Sequence, residues 1–379
     1  MSIKRLIALL LCAVLILLCV WQITRVPSAY QYVLPAPSLP EEKQPSETEN
    51  LLTSLADLSQ NWTGIIRHYA VTAHASGVSF TGSETDSARL TGEYGSPAAL
   101  PYRILTAGRT FYDHELENGS QVILLDEQLA IALFRVGDPI GRTVTLGQHA
   151  YTVIGVVRHT RGAGEKEAYG AYVPLLSLEK NGIQAETLTI WAKGVDGAGA
   201  FSQFKNDMSI LAEKGSLYNL SQERARALLP LWLAGSICLM LIVISVFRAF
   251  GRLVMRLYRD YLQRLEHCFA VQLVPRLLLY AAISLLALSA SIALFYGFTQ
   301  LLMIMVNIFP EWIPAVPVEI NDILFTWWQN VETSAGVIEW RSGEIMTLRK
   351  LSSLLRLPCL AFALLFTHAH GMLRSKYHK

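Results

Sequence analysis

Residues 228–247 read LLPLWLAGSICLMLIVISVF, a stretch of twenty positions without a charged side chain. As a helix it would rise about 30 Å, which is the thickness of the hydrocarbon core of a bilayer. The stretch therefore predicts a membrane-spanning helix. It also divides the chain, because residues 21–227 before it have ordinary polarity and further apolar stretches follow it.

Three more apolar stretches complete this pattern, at residues 6–20, 277–306 and 351–367. The stretch 277–306 is longer than a bilayer core requires, which indicates either tilt or a helix that continues beyond the lipid. The stretch 6–20 has two interpretations, an uncleaved anchor or the apolar core of a signal peptide. Residues 21–30 lack a clear A-x-A cleavage site, which favours the anchor.

Basic residues close to the four spans predict the orientation, because Lys and Arg are enriched on the cytoplasmic side. They form three groups, before the first span, between the second and third spans, and after the fourth. The residues are Lys4, Arg5, Arg248, Arg252, Arg256, Arg259, Arg264, Arg276, Arg374, Lys376 and Lys379. Both termini are then cytoplasmic and the large domain is external. Arg341, Arg349 and Lys350 lie outside in this topology and depart from the rule.

The composition agrees with a membrane protein. Hydrophobic residues make up 52% of the chain and charged residues 16%, and the net charge of +2 gives no reason to expect nucleic-acid binding. All five cysteines fall in predicted spans or in the cytoplasmic connection, namely Cys12, Cys19, Cys238, Cys268 and Cys359. The external domain must therefore fold without disulfides, which suits a bacterial surface.

The external domain has a mixed pattern of helices and strands. Strand candidates and a hairpin around Gly147-Gln148 alternate with short amphipathic helices. The predicted helices have inward faces at Leu51, Leu52, Leu55 and Leu58, at Leu129, Ala132 and Leu133, and at Phe201, Phe204, Met208 and Leu211. The predicted strands are Tyr69–Ala75, Gln121–Leu125, Thr143–Leu146, Tyr151–Val157, Tyr172–Leu175 and Thr187–Ala192.

We therefore predict a membrane protein with an α-helical four-span transmembrane region and an inserted α+β extracytoplasmic domain. The predicted divisions are a first helix with a short cytoplasmic N-terminus (1–24), a Pro/Glu/Ser-rich spacer (25–50), the external domain (51–227), a second helix (228–248), a cytoplasmic amphipathic loop (249–276), a third helix (277–306), an external Trp-rich loop (307–350), a fourth helix (351–370) and a cytoplasmic tail (371–379).

Several short motifs in the external domain occur in an order and spacing that resemble a known family. They are Gly108-Arg109-Thr110-Phe111, Val122-Ile123-Leu124 with Ala132-Leu133-Phe134, Asp138-Pro139-Ile140-Gly141-Arg142-Thr143-Val144 and Tyr151-Thr152-Val153-Ile154-Gly155-Val156-Val157. The chain resembles MacB/FtsX-like ABC transporter permeases, whose MacB-like extracytoplasmic core domain follows the first of four spans. The motif residues Gly108, Arg109, Asp138, Pro139, Gly141 and Gly155 are interpreted as structural, because glycine and proline shape turns.

The resemblance implies a permease-like subunit in a bacterial plasma membrane, paired with an identical or similar permease. It also implies a separate cytosolic ABC ATPase subunit that binds the ATP. The sequence contains no G-x-x-x-x-G-K-[ST] motif, so the chain lacks this means of binding nucleotide phosphates, and no cofactor is predicted. No nucleophile motif is present in the sequence. No metal-ligand spacing is present either, because His368 and His370 would point to different faces of a helix. We do not predict an enzyme.

The connection between the second and third spans is the predicted ATPase-coupling site. Its charged face consists of Arg252, Arg256, Arg259, Asp260 and Arg264. The opposite face consists of Leu253, Leu257, Tyr261 and Leu265. Family members carry an Arg-Glu pair followed by small residues here, and only Arg259-Asp260 and Arg264 keep that character. An amphipathic helix on anionic lipid headgroups is an equally good interpretation.

Two further alternatives stay open at this point. The tryptophans of the external loop, Trp312, Trp327, Trp328 and Trp340, either anchor at the membrane interface or form a binding patch. The whole chain is either a permease-like subunit coupled to an ATPase or a membrane-anchored binding or scaffold protein that has lost this coupling. The divergent cytoplasmic connection is the observation behind the second hypothesis.

Overall fold

A computed structural model describes residues 3–35, 47–135, 137–158, 170–195, 199–211, 215–265, 270–307, 321, 324–325, 328–329 and 340–376. The chain divides into two compact units. The helical unit consists of Met1–Ile23, Ala225–Gly336 and Leu351–Lys379. The sheet unit consists of Thr24–Arg224 and Val337–Lys350.

The described helices and strands follow one another in a mixed order along the chain. The helices are α1 (Ile3–Thr24), α2 (Glu47–Ser59), α3 (Asp113–Asn118), α4 (Glu127–Phe134), α5 (Leu175–Lys180), α6 (Ala200–Leu211), α7 (Leu220–Ala227), α8 (Leu229–Leu265), α9 (Ala270–Asn307) and α10 (Gly343–Lys376). The strands are β1 (Tyr30–Pro35), β2 (Ile66–Thr81), β3 (Thr85–Gly95), β4 (Ile104–Gly108), β5 (Val122–Asp126), β6 (Thr143–Leu146), β7 (His149–Arg158), β8 (Gly170–Pro174), β9 (Thr187–Gly194) and β10 (Ser216–Asn219).

Four helices among the described residues are long and apolar enough to cross a membrane, namely α1, α8, α9 and α10. The candidate membrane spans within them are Ile7–Thr24, Leu229–Leu265, Leu273–Ile304 and Gly343–Thr367. The predicted four-span layout is therefore confirmed, and the chain is a multi-pass membrane protein. The large domain lies between the first and second of these helices, as predicted.

The connection after the second span differs from the predicted loop at 249–276. Helix α8 has 37 residues and continues without a break to Leu265, and α9 begins at Ala270. Residues 266–269, which include Cys268, lie outside the described residues. The predicted amphipathic segment is thus the end of a membrane helix and not a separate element, because no proline interrupts α8 between Phe247 and Leu265.

A ten-stranded sheet forms the body of the sheet unit. Its strands have the order β10-β1-β9-β2-β3-β8-β5-β7-β4, and β6 pairs with both β2 and β7. The pairs β3–β8 and β5–β7 are parallel and the others are antiparallel. The predicted hairpin is present, since Leu146 lies opposite His149 and Gly147 turns the chain with a φ of 60°.

Short helices cover the sheet and enclose the hydrophobic core. Each predicted inward face contributes to that core: α2, α4 and α6 contribute Leu52 and Leu55, Leu129 and Leu133, and Phe204 and Met208, respectively. Trp62 donates an indole hydrogen bond of 2.6 Å to the buried carboxylate of Asp207, which also accepts from Gln203. The carboxylate of Asp207 is therefore buried with hydrogen-bond partners.

The predicted spacer at 25–50 is wrong for its first part. Residues Tyr30–Pro35 form β1, which pairs with β9 on one side and β10 on the other. The Pro, Glu and Ser content of 27–45 concealed the apolar residues Tyr32, Val33 and Leu34, all of which are buried. Residues 36–46 lie outside the described residues.

The last helix also begins earlier than predicted. Helix α10 starts at Gly343 and not at 351, so the end of the predicted external loop 307–350 is helical. Of the four loop tryptophans, Trp328 and Trp340 are described, and Trp312 and Trp327 lie outside the described residues. Trp340 belongs to the sheet unit.

Candidate functional site

The predicted coupling residues lie on the last part of α8. The side chains of Arg248, Arg252, Arg256 and Arg259 are exposed, and we call these four residues the arginine stripe. At 3.6 residues per turn they fall within about 80° of the helix circumference. A 37-residue helix is about 55 Å long, whereas a bilayer core is about 30 Å thick, so about 17 residues extend beyond the lipid.

The other faces of this helical segment are apolar. Of the residues on the predicted opposite face, Leu253, Leu257 and Tyr261 are half-buried, whereas Leu265 is exposed. A second apolar row, which the sequence analysis missed, consists of Met255, Tyr258 and Leu262 and is also exposed. These three residues have i, i+3 and i+7 spacing and run beside the arginine stripe.

Asp260 and Arg264 differ from the arginine stripe because they are bonded to one another. Arg264 donates to Asp260 over 2.9 Å, four residues along the helix. Asp260 also accepts a hydrogen bond from the hydroxyl of Tyr280 on α9. The bond from Tyr280 joins the end of α8 to α9, so Asp260 has a structural role within the helical unit.

Two motif glycines of the sheet unit face each other across neighbouring strands. Gly108 on β4 is the register partner of Gly155 on β7. A Cβ at Gly108 would lie 2.3 Å from the Ile154 carbonyl oxygen, and one at Gly155 would lie 2.4 Å from the Arg109 carbonyl oxygen. Gly108 also has a φ of 76°. Both positions therefore require glycine for close approach of the backbone.

The motif Asp138–Gly141 forms the turn that precedes β6. The Asp138 carboxylate accepts from the Ile140 amide over 3.0 Å, and Pro139 accepts from the Arg142 amide over 3.2 Å. Gly141 has a φ of 76° and donates to the Val153 carbonyl over 2.8 Å. These bonds fix the turn against β7.

Arg109 holds the segment after β4 through an ion pair. Its guanidinium donates to both carboxylate oxygens of Glu115 over 2.7 and 2.6 Å, and it lies 4.1 Å from the centre of the Tyr112 ring. The Glu115 side chain is only 8% exposed. The hydrogen bonds from Arg109 lower the pKa of Glu115 below its ordinary value. Arg109 is therefore structural as well.

A second region of interest surrounds the start of β1. It was not predicted from the sequence, because β1 was predicted as part of the spacer. The link between α1 and β1 is bonded to α7, the helix that leads into α8. Arg224 donates to the Val26 carbonyl over 3.0 Å, and the Leu220 amide donates to the Ala29 carbonyl over 3.0 Å. The chain segments that follow the first span and precede the second are thus joined to each other at the start of β1.

Four apolar helices and an inserted domain with a mixed sheet define a multi-pass membrane protein that carries a folded domain between its first two spans. The family comparison identifies the domain more closely. Residues 23–207 match the family model for the MacB-like periplasmic core domain. The external domain is therefore a MacB-like periplasmic core domain of the type found in ABC transporter permeases, and the resemblance stated from the motifs is confirmed.

Two solved structures are similar to this chain. The periplasmic region of MacB from Actinobacillus actinomycetemcomitans is 18% identical, with a TM-score of 0.40 over 52% of this chain and 92% of that chain. The extracellular domain of the noncanonic ABC-type transporter YknZ from Gram-positive bacteria is 18% identical, with a TM-score of 0.37 over 50% of this chain and 100% of that chain. No match was found among curated proteins.

We predict that Gly108→Ala destabilises the protein far more than Gly141→Ala. Both residues have a φ of 76°, but a Cβ at Gly141 has no neighbour within 4 Å. Gly141→Ala should therefore cost only the left-handed backbone strain of about 1–2 kcal/mol. Gly108→Ala adds the overlap with Ile154, which brings the cost to about 2–5 kcal/mol. Thermal unfolding of the two purified variants measures the difference, and equal midpoints would contradict the close approach of β4 and β7.

We also predict that Glu115→Gln removes part of the acid sensitivity of the fold. Because folding lowers the pKa of Glu115, its ion pair stabilises the protein above the ordinary value of 4.5 and is lost as the pH falls through the folded-state pKa. The variant should unfold more easily at pH 7, by about 1–2 kcal/mol, and should lose less stability on acidification.

The matched control for this prediction is Glu127→Gln. Glu127 also pairs with an arginine, Arg158, over 2.7 Å, but that pair is exposed. Removal of the Glu127–Arg158 pair by Glu127→Gln should change the unfolding midpoint less than Glu115→Gln does at every pH. Melting curves of wild type and both variants between pH 3 and 7 test this, and parallel pH profiles for wild type and Glu115→Gln would refute the assignment.

Proposed function

We propose that this chain is the permease-like subunit of an ABC transporter or mechanotransmission complex in a bacterial plasma membrane. A separate cytosolic ABC ATPase would bind the end of α8, and its ATP-driven closure would move the MacB-like domain. The observation that supports this proposal is the arginine stripe at the end of a 37-residue helix, in a chain that carries a MacB-like periplasmic core domain.

The exposed residues of α8 define the chemistry of the proposed partner surface. The arginine stripe favours carboxylates, which guanidinium groups bind in a bidentate manner. The neighbouring Met255, Tyr258 and Leu262 are exposed and apolar, and therefore favour a groove with an apolar wall. A partner groove that is acidic along one side and apolar along the other would accept both rows.

In this proposal α8 transmits movement from its end that carries the arginine stripe. The end that carries the arginine stripe would receive the movement of the ATPase. The bonds from Asp260 to Arg264 and Tyr280 would make α8 and α9 move together at that end. A continuous helix transmits such a displacement because its backbone hydrogen bonds keep it stiff. The chain itself would then be no enzyme and would need no cofactor, and it would act with a second, identical or similar permease.

We expect Arg256→Glu combined with Arg259→Glu to abolish capture of the ATPase. Each exposed ion pair contributes roughly 0.2–1 kcal/mol, and a reversal replaces attraction by repulsion, so the double variant should bind at least about tenfold more weakly. The measurement is purification of the tagged chain in mild detergent, followed by mass spectrometry and an ATPase assay of the eluate.

The matched control is Arg67→Glu combined with Lys205→Glu, which gives the same change in net charge on exposed residues of the sheet unit. This control should retain the ATPase. An ATPase that stays bound to the stripe variant would contradict the proposed docking site. If wild type retains no ATPase in several detergents and only external partners appear, the chain is the membrane-anchored scaffold. Loss of binding to anionic vesicles, with ATPase capture intact, would assign the stripe to lipid.

A further inference from the structure

Gln31 is a fully buried amide at the second position of β1. Its two polar ends are bonded to residues more than three hundred positions away in the chain. The hydroxyl of Ser342 donates to Gln31 Oε1 over 2.7 Å, and Gln31 Nε2 donates to a carboxylate oxygen of Glu344 over 3.2 Å. A buried amide without partners would be costly, so these two bonds tie the segment around residue 343 to the sheet.

Neighbouring contacts attach the same segment to β10. The Trp340 amide donates to the Ser216 hydroxyl over 2.9 Å, and the Tyr218 hydroxyl donates to the Trp340 carbonyl over 2.8 Å. Ile345 is fully buried and Leu348 is 2% exposed. The segment is thus held by hydrogen bonds and by apolar side chains, and it is part of the sheet unit.

The attached segment is also the beginning of the last membrane helix. Ser342 precedes α10, and its hydroxyl accepts from the Ile345 amide over 3.4 Å as an N-cap does. Helix α10 then continues from Gly343 to Lys376, and its apolar part reaches Thr367. The residues that contact the sheet and the residues that would cross the membrane therefore belong to one helix.

We propose that Gln31 is the positioning residue of a latch, formed with Ser342 and Glu344, that holds the first turns of the last membrane helix on strand β1. The latch lies in the strand that directly follows the first membrane helix. It connects β1 to the start of α10. Its role in transmitting movement rests on the proposed function, whereas its role in holding α10 does not.

Hydrogen exchange of the full chain, without any partner, tests whether the latch holds the start of α10. Gln31→Met keeps the length of the side chain and removes both bonds, so the amides of residues 345–350 should exchange about tenfold faster. Ser342→Ala removes the bond to Gln31 and also the N-cap bond from the Ile345 amide, so exchange at 345–350 should rise in this variant as well. The matched control is Asn181→Leu, which removes a side-chain amide that donates to Tyr151 in another part of the sheet unit. Exchange at 345–350 should not change in this control.

A reciprocal exchange distinguishes the latch from a general packing effect. In Gln31→Glu alone, two carboxylates would repel one another, and exchange at 345–350 should rise. In Gln31→Glu combined with Glu344→Gln, the amide at position 344 can donate to the carboxylate at position 31, so protection should return. Unchanged protection in Gln31→Met and in Ser342→Ala, or no recovery in the reciprocal variant, would overturn the proposal.

The test of transmission adds the ATPase and a non-hydrolysable nucleotide. In wild type and in Asn181→Leu, nucleotide should change exchange both in α10 and in residues 30–35. In Gln31→Met the change should persist in α10 and be lost in residues 30–35. A change that still reaches residues 30–35 would overturn transmission through the latch. If nucleotide changes exchange nowhere in wild type, the proposed function fails, while the partner-free experiment still decides whether the latch holds.

Discussion

Strand β1 is both an inner strand of the sheet and the first structured segment after a membrane helix. An inner strand must satisfy its backbone groups on both sides, and β1 does so through β9 and β10. Its Gln31 side chain must also find partners because it is fully buried. Through these contacts β1 is bonded to β9, to β10 and to the start of α10, and several distant segments of the sheet unit therefore depend on it.

The motif residues serve a different part of the same sheet. Gly108 and Gly155 allow β4 and β7 to approach closely, Asp138 to Gly141 turns the chain into β6, and Arg109 fixes the segment after β4 through Glu115. None of these contacts involves β1 or β10, which lie at the opposite end of the strand order. The contacts of these motif residues therefore contribute to the fold of the domain.

Sequence patterns predicted the elements that have a local signal. The helix Glu127–Phe134 and the hairpin around Gly147 depend on apolar spacing and turn chemistry, and both are present. Strand β1 was missed because its short apolar core is surrounded by Pro, Glu and Ser. The contact of Gln31 with Ser342 and Glu344 joins residues 311 and 313 positions apart, and no local pattern encodes such a pairing. The same holds for the bond between Asp260 and Tyr280, which gives Asp260, one of the predicted docking residues, a contact within the helical unit.

The positions of these contacts decide where a movement of the helices would first reach the domain. Helix α8 follows α7, and α7 is bonded to the link before β1 through Arg224 and Leu220. Helix α10 is bonded to β1 through Gln31, and α1 continues into β1 along the chain. In the proposed function, β1 is therefore the strand on which displacement of these helices would act. Since β1 is hydrogen-bonded on both sides, it cannot shift alone, and a force applied to it would be distributed over the sheet instead of bending a loop.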